Sequence, residues 1–350
     1  MQPTFEDRPH IVIWEMTRAC ALACRHCRAC AVPARDRAEL STSEAYTLIE
    51  EIAGAGTPLL VLSGGDPLER DDICDIISHA RRAGLRVAVT PSATARLTPE
   101  AIQAMKAAGA QRMALSIDAP TAAAHDAFRR VAGSFSTTLN AARFAREIGL
   151  ETQIHTTATR DTVKDIEATA LLVEELGSVL WSVFSLIPVG RARASECLDA
   201  AEHEALFERL LEVAERSTLD VKTTEALHYR RFIAQRAPDG VPLGKPSSGR
   251  MPTIADGRGF VFVSHTGDVF PSGFLPLRVG NVREGSLIQT YRTHPVMQRL
   301  RDSTTFDGKC GECEYRFMCG GSRARAYAAS GNPFASDPAC SYVPGSWVPA

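Results

Sequence analysis

A strand followed by a helix, repeated six times between residues 10 and 216, limits the fold more than any other feature of the chain. The strands are short apolar runs at His10–Trp14, Leu59–Leu62, Leu85–Val89, Met113–Ile117, Thr152–Thr157 and Trp181–Ile187. Spacing marks the helices between them. Ala45, Leu48, Ile49 and Ile52 fall at i, i+3, i+4 and i+7 behind the capping box Ser41-Thr42-Ser43-Glu44. Ile73, Ile76, Ile77 and Ala80 repeat the stripe and stop at Gly84, and Thr98-Pro99-Glu100 opens a helix with a cap and a proline at its first position. Further helices are expected around Leu139–Ile148 and Ile166–Leu176. Strands joined by helices run parallel, because a parallel return needs a long crossover. Six units are fewer than the eight of a closed barrel. The expected fold class is therefore α/β, a partial (β/α)6 TIM-like barrel open on one side. Ligand sites in such sheets lie at the C-terminal strand ends, and the polar insertions here follow strands one, two, four and six.

A long helix near Glu202–Arg216 closes this region. Residues 238–259 are rich in Gly, Pro and Ser and read as a linker, which divides the chain into 1–237, 238–259 and 260–350. In the third part, Phe260–Ser264 and Val269–Phe270 flank Thr266-Gly267-Asp268, a hairpin signal in a small α+β unit.

Charge and apolar patterning exclude several classes. The net charge of −2 and 7% aromatic content do not suit a nucleic-acid binder. Met1–His10 holds Glu6, Asp7 and Pro9 and has no apolar signal-peptide core, and no run approaches the ~20 apolar residues that cross a bilayer. A cytoplasmic location is expected, with no membrane partner. Of ten cysteines, four fall between Cys20 and Cys30 and four between Cys310 and Cys340, with Cys74 and Cys197 apart. In a reducing compartment two such knots read as metal or cluster sites.

The first knot is Cys20-x3-Cys24-x2-Cys27, directly after strand one. Three thiolates on one short loop can hold three irons of a [4Fe–4S] cube and leave the fourth open. The alternative from the residues alone is a structural zinc site of Cys20, Cys24, Cys27 and Cys30, in a zinc-stabilised interaction protein. Ser63-Gly64-Gly65-Asp66-Pro67 ends strand two, Ser116-Ile117-Asp118 ends strand four ahead of His125-Asp126 and Arg129, and Leu186-Ile187-Pro188-Val189-Gly190-Arg191-Ala192 ends strand six. In this order, and each at a strand's C-terminal end, the four features resemble the radical S-adenosylmethionine (SAM) superfamily.

The resemblance covers the first ~215 residues and implies a cluster whose open iron binds SAM. It implies that reductive cleavage of SAM then gives a 5′-deoxyadenosyl radical. Gly64, Gly65 and Asp66 stand where the family has Gly-Gly-Glu-Pro at the SAM ammonium. Ser116, Asp118 and Arg129 stand where relatives hold the SAM ribose and carboxylate, Arg130 being an equally available arginine. Leu186 stands where apolar residues pack on adenine.

Cys310-x2-Cys313-x5-Cys319, followed by Cys340, is similar to the SPASM extension of the same superfamily, whose full form binds two auxiliary clusters. Here Pro271 is followed by Ser272, and Ser322-Arg323 follow Gly320-Gly321, so cysteines of the first auxiliary set are missing together. The four ligands of the second set remain. The expectation is one auxiliary [4Fe–4S] cluster on Cys310, Cys313, Cys319 and Cys340, fully ligated and suited to electron transfer, with a zinc knuckle as the alternative.

The implied function is an oxidoreductase-like radical enzyme that abstracts hydrogen from a peptide or small-molecule substrate and passes an electron to the auxiliary cluster. The alternative is action on a tetrapyrrole of the haem pathway, a cofactor or a sugar. Only 19 residues precede Cys20, so a leader-peptide-binding domain is not expected there, which weakens the peptide reading without excluding it. Arg18, Arg25, Arg28, Arg35 and Arg37 make the loop basic, suiting reduced flavodoxin or ferredoxin as electron donor, or an anionic substrate, as well as plain solvation. No residue is assigned as catalytic acid or base.

Overall fold

A computed structural model describes residues 5–236, 254–345 and 347, so residues 238–253 of the expected linker lie outside the described residues. Strands β1 (Ile11–Glu15), β2 (Leu59–Ser63), β3 (Arg86–Val89), β4 (Arg112–Ser116), β5 (Glu151–Ala158) and β6 (Leu180–Ser185) stand side by side in chain order, every pair parallel. Helices α1 (Thr42–Gly54), α2 (Ile73–Arg82), α3 (Pro99–Ala108), α4 (Ala122–Arg129), α5 (Ser134–Glu147), α6 (Ile166–Glu175) and α7 (Ala200–Arg216) supply the crossovers. This is the α/β partial barrel.

Local chemistry starts these helices where the sequence places them. Ser41 accepts from the Glu44 amide while the Glu44 carboxylate accepts from the Ser41 amide, a reciprocal cap on α1. Asp199 and Glu202 build the same device on α7, which starts two residues before the expected Glu202. The α1 and α2 stripes bury the expected sides, Ala45, Leu48, Ile49, Ile52 and then Ile73, Ile76, Ile77, Ala80.

The strands divide their side chains sharply between two faces. Val12, Trp14, Leu60, Leu62, Val87, Val89, Met113, Leu115 and Ile154 are at most 1% exposed and pack under the helices. Each such burial is worth about 1.5–3 kcal/mol. Their alternate neighbours Ile11, Ile13, Leu59, Val61, Ala88, Gln153 and His155 face the other way and are only half-buried. The barrel's inner face is thus accessible, whereas a closed barrel fills it with side chains.

Two features extend the expected layout. A seventh parallel strand, β7 (Val221–Thr224), pairs with β6 and leads into α8 (His228–Arg236). Val-Lys-Thr-Thr is too short and polar to read as a strand without its partner. The expected hairpin is present as β8 (Phe260–Val263) and β9 (Asp268–Phe270), followed by the short β10 (Gly280–Asn281). β8 also pairs parallel with β1, so the hairpin continues the barrel sheet and the order is β10-β9-β8-β1-β2-β3-β4-β5-β6-β7. Helices α9 (Leu287–Thr293), α10 (Pro295–Arg301), α11 (Gly308–Glu312) and α12 (Arg323–Ser330) complete the C-terminal part. Ile187, just past β6, shares a second core with Leu275, Leu300, Phe306, Ala324 and Phe334. Among the described residues no helix is long and apolar enough to cross a membrane.

Arg325 on α12 joins the parts. Its guanidinium grips both oxygens of Asp337 at 3.0 and 2.9 Å, the Ser185 hydroxyl of β6 at 2.8 Å and the Glu225 carbonyl beyond β7. Burial would raise the Asp337 carboxyl, but the Arg325 charge and His228 override it and hold it well below the usual range. Replacing Arg325 by Met strands a buried carboxylate. The R325M variant is expected to lose about 3–5 kcal/mol of stability, measured by chemical denaturation.

Candidate active site at the C-terminal strand ends

Beyond β1 the chain forms the cysteine loop. A parallel bridge between Ala19 and Val32 closes it, with the Cys20 amide donating to the Val32 carbonyl at 2.9 Å and the Val32 amide to the Arg18 carbonyl at 3.0 Å. Cys20 and Cys24 are buried and Cys27 half-buried, all three as free thiols. Each sulfur faces a donor: the Leu22 amide at 3.3 Å from Cys20, the Ala31 amide at 3.4 Å from Cys27, and Arg129 Nη1 at 3.7 Å from Cys24. Burial pushes the Cys20 thiol up to about 11, so a metal cluster taken up here must displace its proton. Donors aimed at sulfur, on three thiols of one loop, fit iron–sulfur ligation.

Gly64 and Gly65 are glycine because the cysteine loop lies against them. A Cβ on Gly64, at φ +152°, would stand 2.5 Å from the Thr17 carbonyl oxygen. One on Gly65 would stand 2.3 Å from that of Ala19. In that close contact the Gly65 amide donates to Thr17 O at 2.8 Å and the Asp66 amide to Ala19 O at 2.7 Å. The Asp66 carboxylate is fully buried and engaged, accepting from the Leu68 and Ser92 amides and from the Thr94 hydroxyl at 2.7 Å. Burial raises its pKa. Ser92 also donates to the Gly65 carbonyl at 2.6 Å and lies 3.5 Å from Cys20 Sγ. It belongs to no motif, and nothing in the sequence marks it.

Ser116 ends β4 half-buried, in register beside His155. Asp118 is 1% exposed and carries a dense set of contacts. The Thr157 amide donates to Oδ1 at 2.8 Å, and Arg129 reaches Oδ2 through Nε at 2.7 Å and Nη2 at 2.5 Å. Burial would raise this carboxyl, yet Arg129, His26, His125 and the Thr157 amide bring it down to about 2. Burial keeps His26 neutral, lowering it to about 3 against the face of Phe128. Arg129 therefore links Asp118 to the Cys24 sulfur, while Arg130 turns away in a left-handed conformation at φ 59°. Leu186 is 5% exposed, its amide on the Ala158 carbonyl. Gly190 beyond it touches the cysteine loop, where a Cβ would meet the Cys27 and Arg28 carbonyl oxygens at 2.4 Å.

At the other knot, Cys310, Cys313, Cys319 and Cys340 line one cavity together with Arg231, Lys309 and Arg316. Cys310 Sγ accepts from the Asp337 amide at 3.3 Å and from Arg323 Nη2 at 3.5 Å, and Cys319 Sγ from the Gly321 amide at 3.3 Å. Burial pushes the Cys319 thiol up to about 12. The four thiols surround a space. Among the described residues, no three Cys, His, Asp or Glu side chains stand close enough to grip a single ion.

Residues 14–173 match the profile of the Radical SAM superfamily. The AdoMet-dependent heme synthase of Nitratidesulfovibrio vulgaris is 40% identical over 97% of this chain and 94% of that protein. The chain belongs to the radical SAM superfamily. A second AdoMet-dependent heme synthase, from Methanosarcina barkeri, is 39% identical over 97% of this chain and 98% of its own length. The fold agrees with the crystal structure of Streptococcus suis SuiB bound to S-adenosylmethionine, at TM-score 0.75 and 16% identity over 96% of this chain and 78% of that one. The protein is thus a radical SAM enzyme, with SAM and a [4Fe–4S] cluster as the cofactors of its superfamily.

Gly190 tests how tightly this radical SAM site depends on backbone contact. At φ 63°, and with protein backbone in the way, alanine there is expected to cost about 2 kcal/mol or more and to lower the iron content. Alanine at Gly54 meets nothing within 4 Å and should not lower the melting temperature. Thermal denaturation with iron analysis checks both.

Proposed function

We propose that this chain acts on a tetrapyrrole in haem formation, as a SAM-dependent haem synthase. One observation carries the reading: two relatives bearing that function in their names match at 40% and 39% identity across 97% of the chain. Residues Cys20, Cys24 and Cys27 would hold the SAM-binding cluster, and Cys310, Cys313, Cys319 and Cys340 an auxiliary [4Fe–4S] cluster. Loaded, these groups supply the 5′-deoxyadenosyl radical and take up the electron that the substrate releases. The chemistry balances for a carboxyethyl side chain. Loss of one hydrogen atom from its ring-proximal carbon, then of carbon dioxide and one electron, leaves a vinyl group.

The chain's own part is positioning and exclusion. Gly64, Gly65 and Asp66 hold the turn against the cysteine loop, Asp118 and Arg129 brace Cys24, and Ser116 and Leu186 stand at the ends of β4 and β6 where SAM would lie. The half-buried inner face offers the substrate a berth, with His155 held neutral by burial at about 3. Reduced flavodoxin or ferredoxin in the cytoplasm would supply the first electron.

Anaerobic reconstitution should give about eight irons per chain if both clusters are cubes. With dithionite, SAM and a four-carboxylate iron porphyrin, the protein should form 5′-deoxyadenosine and consume the porphyrin. Cys310→Ala should bind about four irons and still cleave SAM, yet lose most of the vinyl product. Zinc without sulfide, or SAM cleavage that ignores every porphyrin, would overturn the reading.

A further inference from the structure

Beside the cysteine loop, Arg25, Arg130, Arg191, Arg193 and Glu196 line a cavity of about 430 Å³. That volume lies in the range of small-molecule sites. Four guanidinium groups from three separate segments are brought together there: Arg25 between cluster ligands Cys24 and Cys27, Arg130 at the end of α4, and Arg191 and Arg193 beyond β6. Like charges do not gather in one concavity without something to offset them.

Arg25 has its partners, Glu196 and Asp161, the latter at 3.0 Å. Among the described residues, Arg130, Arg191 and Arg193 have no carboxylate within ion-pair distance. Arg191 is the most telling. Its Nε and Nη2 are shut off from water and have no hydrogen-bond partner, while its amide is pinned to the Cys27 carbonyl at 3.0 Å. A desolvated charged N–H without an acceptor is strongly unfavourable, so the position calls for an anion. Arg130 adds a second sign, because its left-handed φ of 59° is one that an arginine adopts only against steric cost.

We propose that this cavity is the docking site for side-chain carboxylates of the substrate. The assignment rests on the tetrapyrrole reading and names what that reading leaves open, the groups that hold the macrocycle's acidic edge. Three uncompensated guanidiniums match two or more carboxylates, and the planar fork of arginine takes a carboxylate through two parallel bonds. Concavity favours a small molecule over an acidic protein, since surface carboxylates of a docked protein meet a broad face. Held here, a carboxylate lies next to the loop that carries Cys24 and Cys27, and so next to the place where the radical forms.

The test uses cluster-loaded enzyme with SAM under anaerobic conditions, titrated with coproporphyrin III, which has four carboxylates, and with mesoporphyrin, which has two. Soret absorbance reads binding. Wild type should prefer the four-carboxylate porphyrin. The variant Arg130→Gln with Arg193→Gln changes two exposed side chains, and Arg191→Gln removes the half-buried one. Both are expected to bind coproporphyrin about tenfold or more weaker and to lose the preference, with SAM affinity, iron content and reduction by dithionite unchanged. Wild-type affinity in both variants would overturn the assignment alone. So would weaker SAM binding with porphyrin binding intact, or slower reduction by flavodoxin as the only change. Failure of wild type to bind either porphyrin would overturn the tetrapyrrole reading and the assignment with it.

Discussion

Everything at the top of this barrel depends on main-chain contact with the cysteine loop. A seventeen-residue excursion from Met16 to Val32 has little apolar surface of its own, with Cys20, Leu22 and Cys24 as its small buried cluster. It is held by amides. Gly65 and Asp66 donate to the carbonyls of Thr17 and Ala19, and Arg191 donates to that of Cys27. These bonds require backbones closer than any Cβ allows, which is why glycine stands at 64, 65 and 190. Two strand ends thereby fix the positions of three thiols, whose placement is inherited from the sheet instead of from the loop.

Charge then finishes what contact begins. Arg129 serves Asp118 and the Cys24 sulfur at once, so one guanidinium ties the cysteine loop to β4 and, through the Thr157 amide, to β5. At the C-terminal knot Arg323 reaches Cys310 directly, whereas Arg325, two residues on, spends its charge on Asp337. A cation next to a sulfur favours the thiolate and stabilises a cluster that gains negative charge. Both knots follow the same physical rule: fixed N–H donors and an arginine placed against a cysteine sulfur.

How much of this was legible in the sequence follows from the range of each interaction. The start and buried stripe of helix α1 could be read to the residue, because its stripe and capping box are local chemistry. The cysteine spacings could be read as knots, and the three strand-end motifs could be ordered around the first. Pairings between distant segments could not. Nothing in Phe260–Val263 says that it lies against Ile11–Trp14, and Val221–Thr224 becomes a strand only because Trp181–Phe184 offers it an edge. The reason for the glycines was equally hidden. A Gly-Gly turn suggests room for a ligand, and the structure shows that the room is taken by Thr17 and Ala19. Arg191 looked like one member of a motif, and its missing partner is visible only once the loop around Arg25 is folded over it.

The same distant pairings explain why the inner face stays open. An eight-stranded barrel closes by hydrogen bonds between its last strand and its first. Here β1 already has β8 on its free side, and β7 ends the sheet at the other edge, so among the described residues no ladder joins the two ends. Side chains span the opening. Ser322 donates to the Glu225 carboxylate just past β7, Arg325 reaches Ser185 on β6, and Phe184 of β6 stands 6.2 Å from Phe274 beyond the hairpin. Closing with side chains costs less regularity than closing with strands and leaves the lumen unfilled. Across it, Ser116, His155, Ser182 and Lys222 fall in register on four adjacent strands, a polar row about 14 Å long at the ~4.8 Å strand spacing. Lys222 remains exposed, while desolvation and the nearby Arg230 charge lower its pKa. The row exists because β7 extends the sheet without closing it.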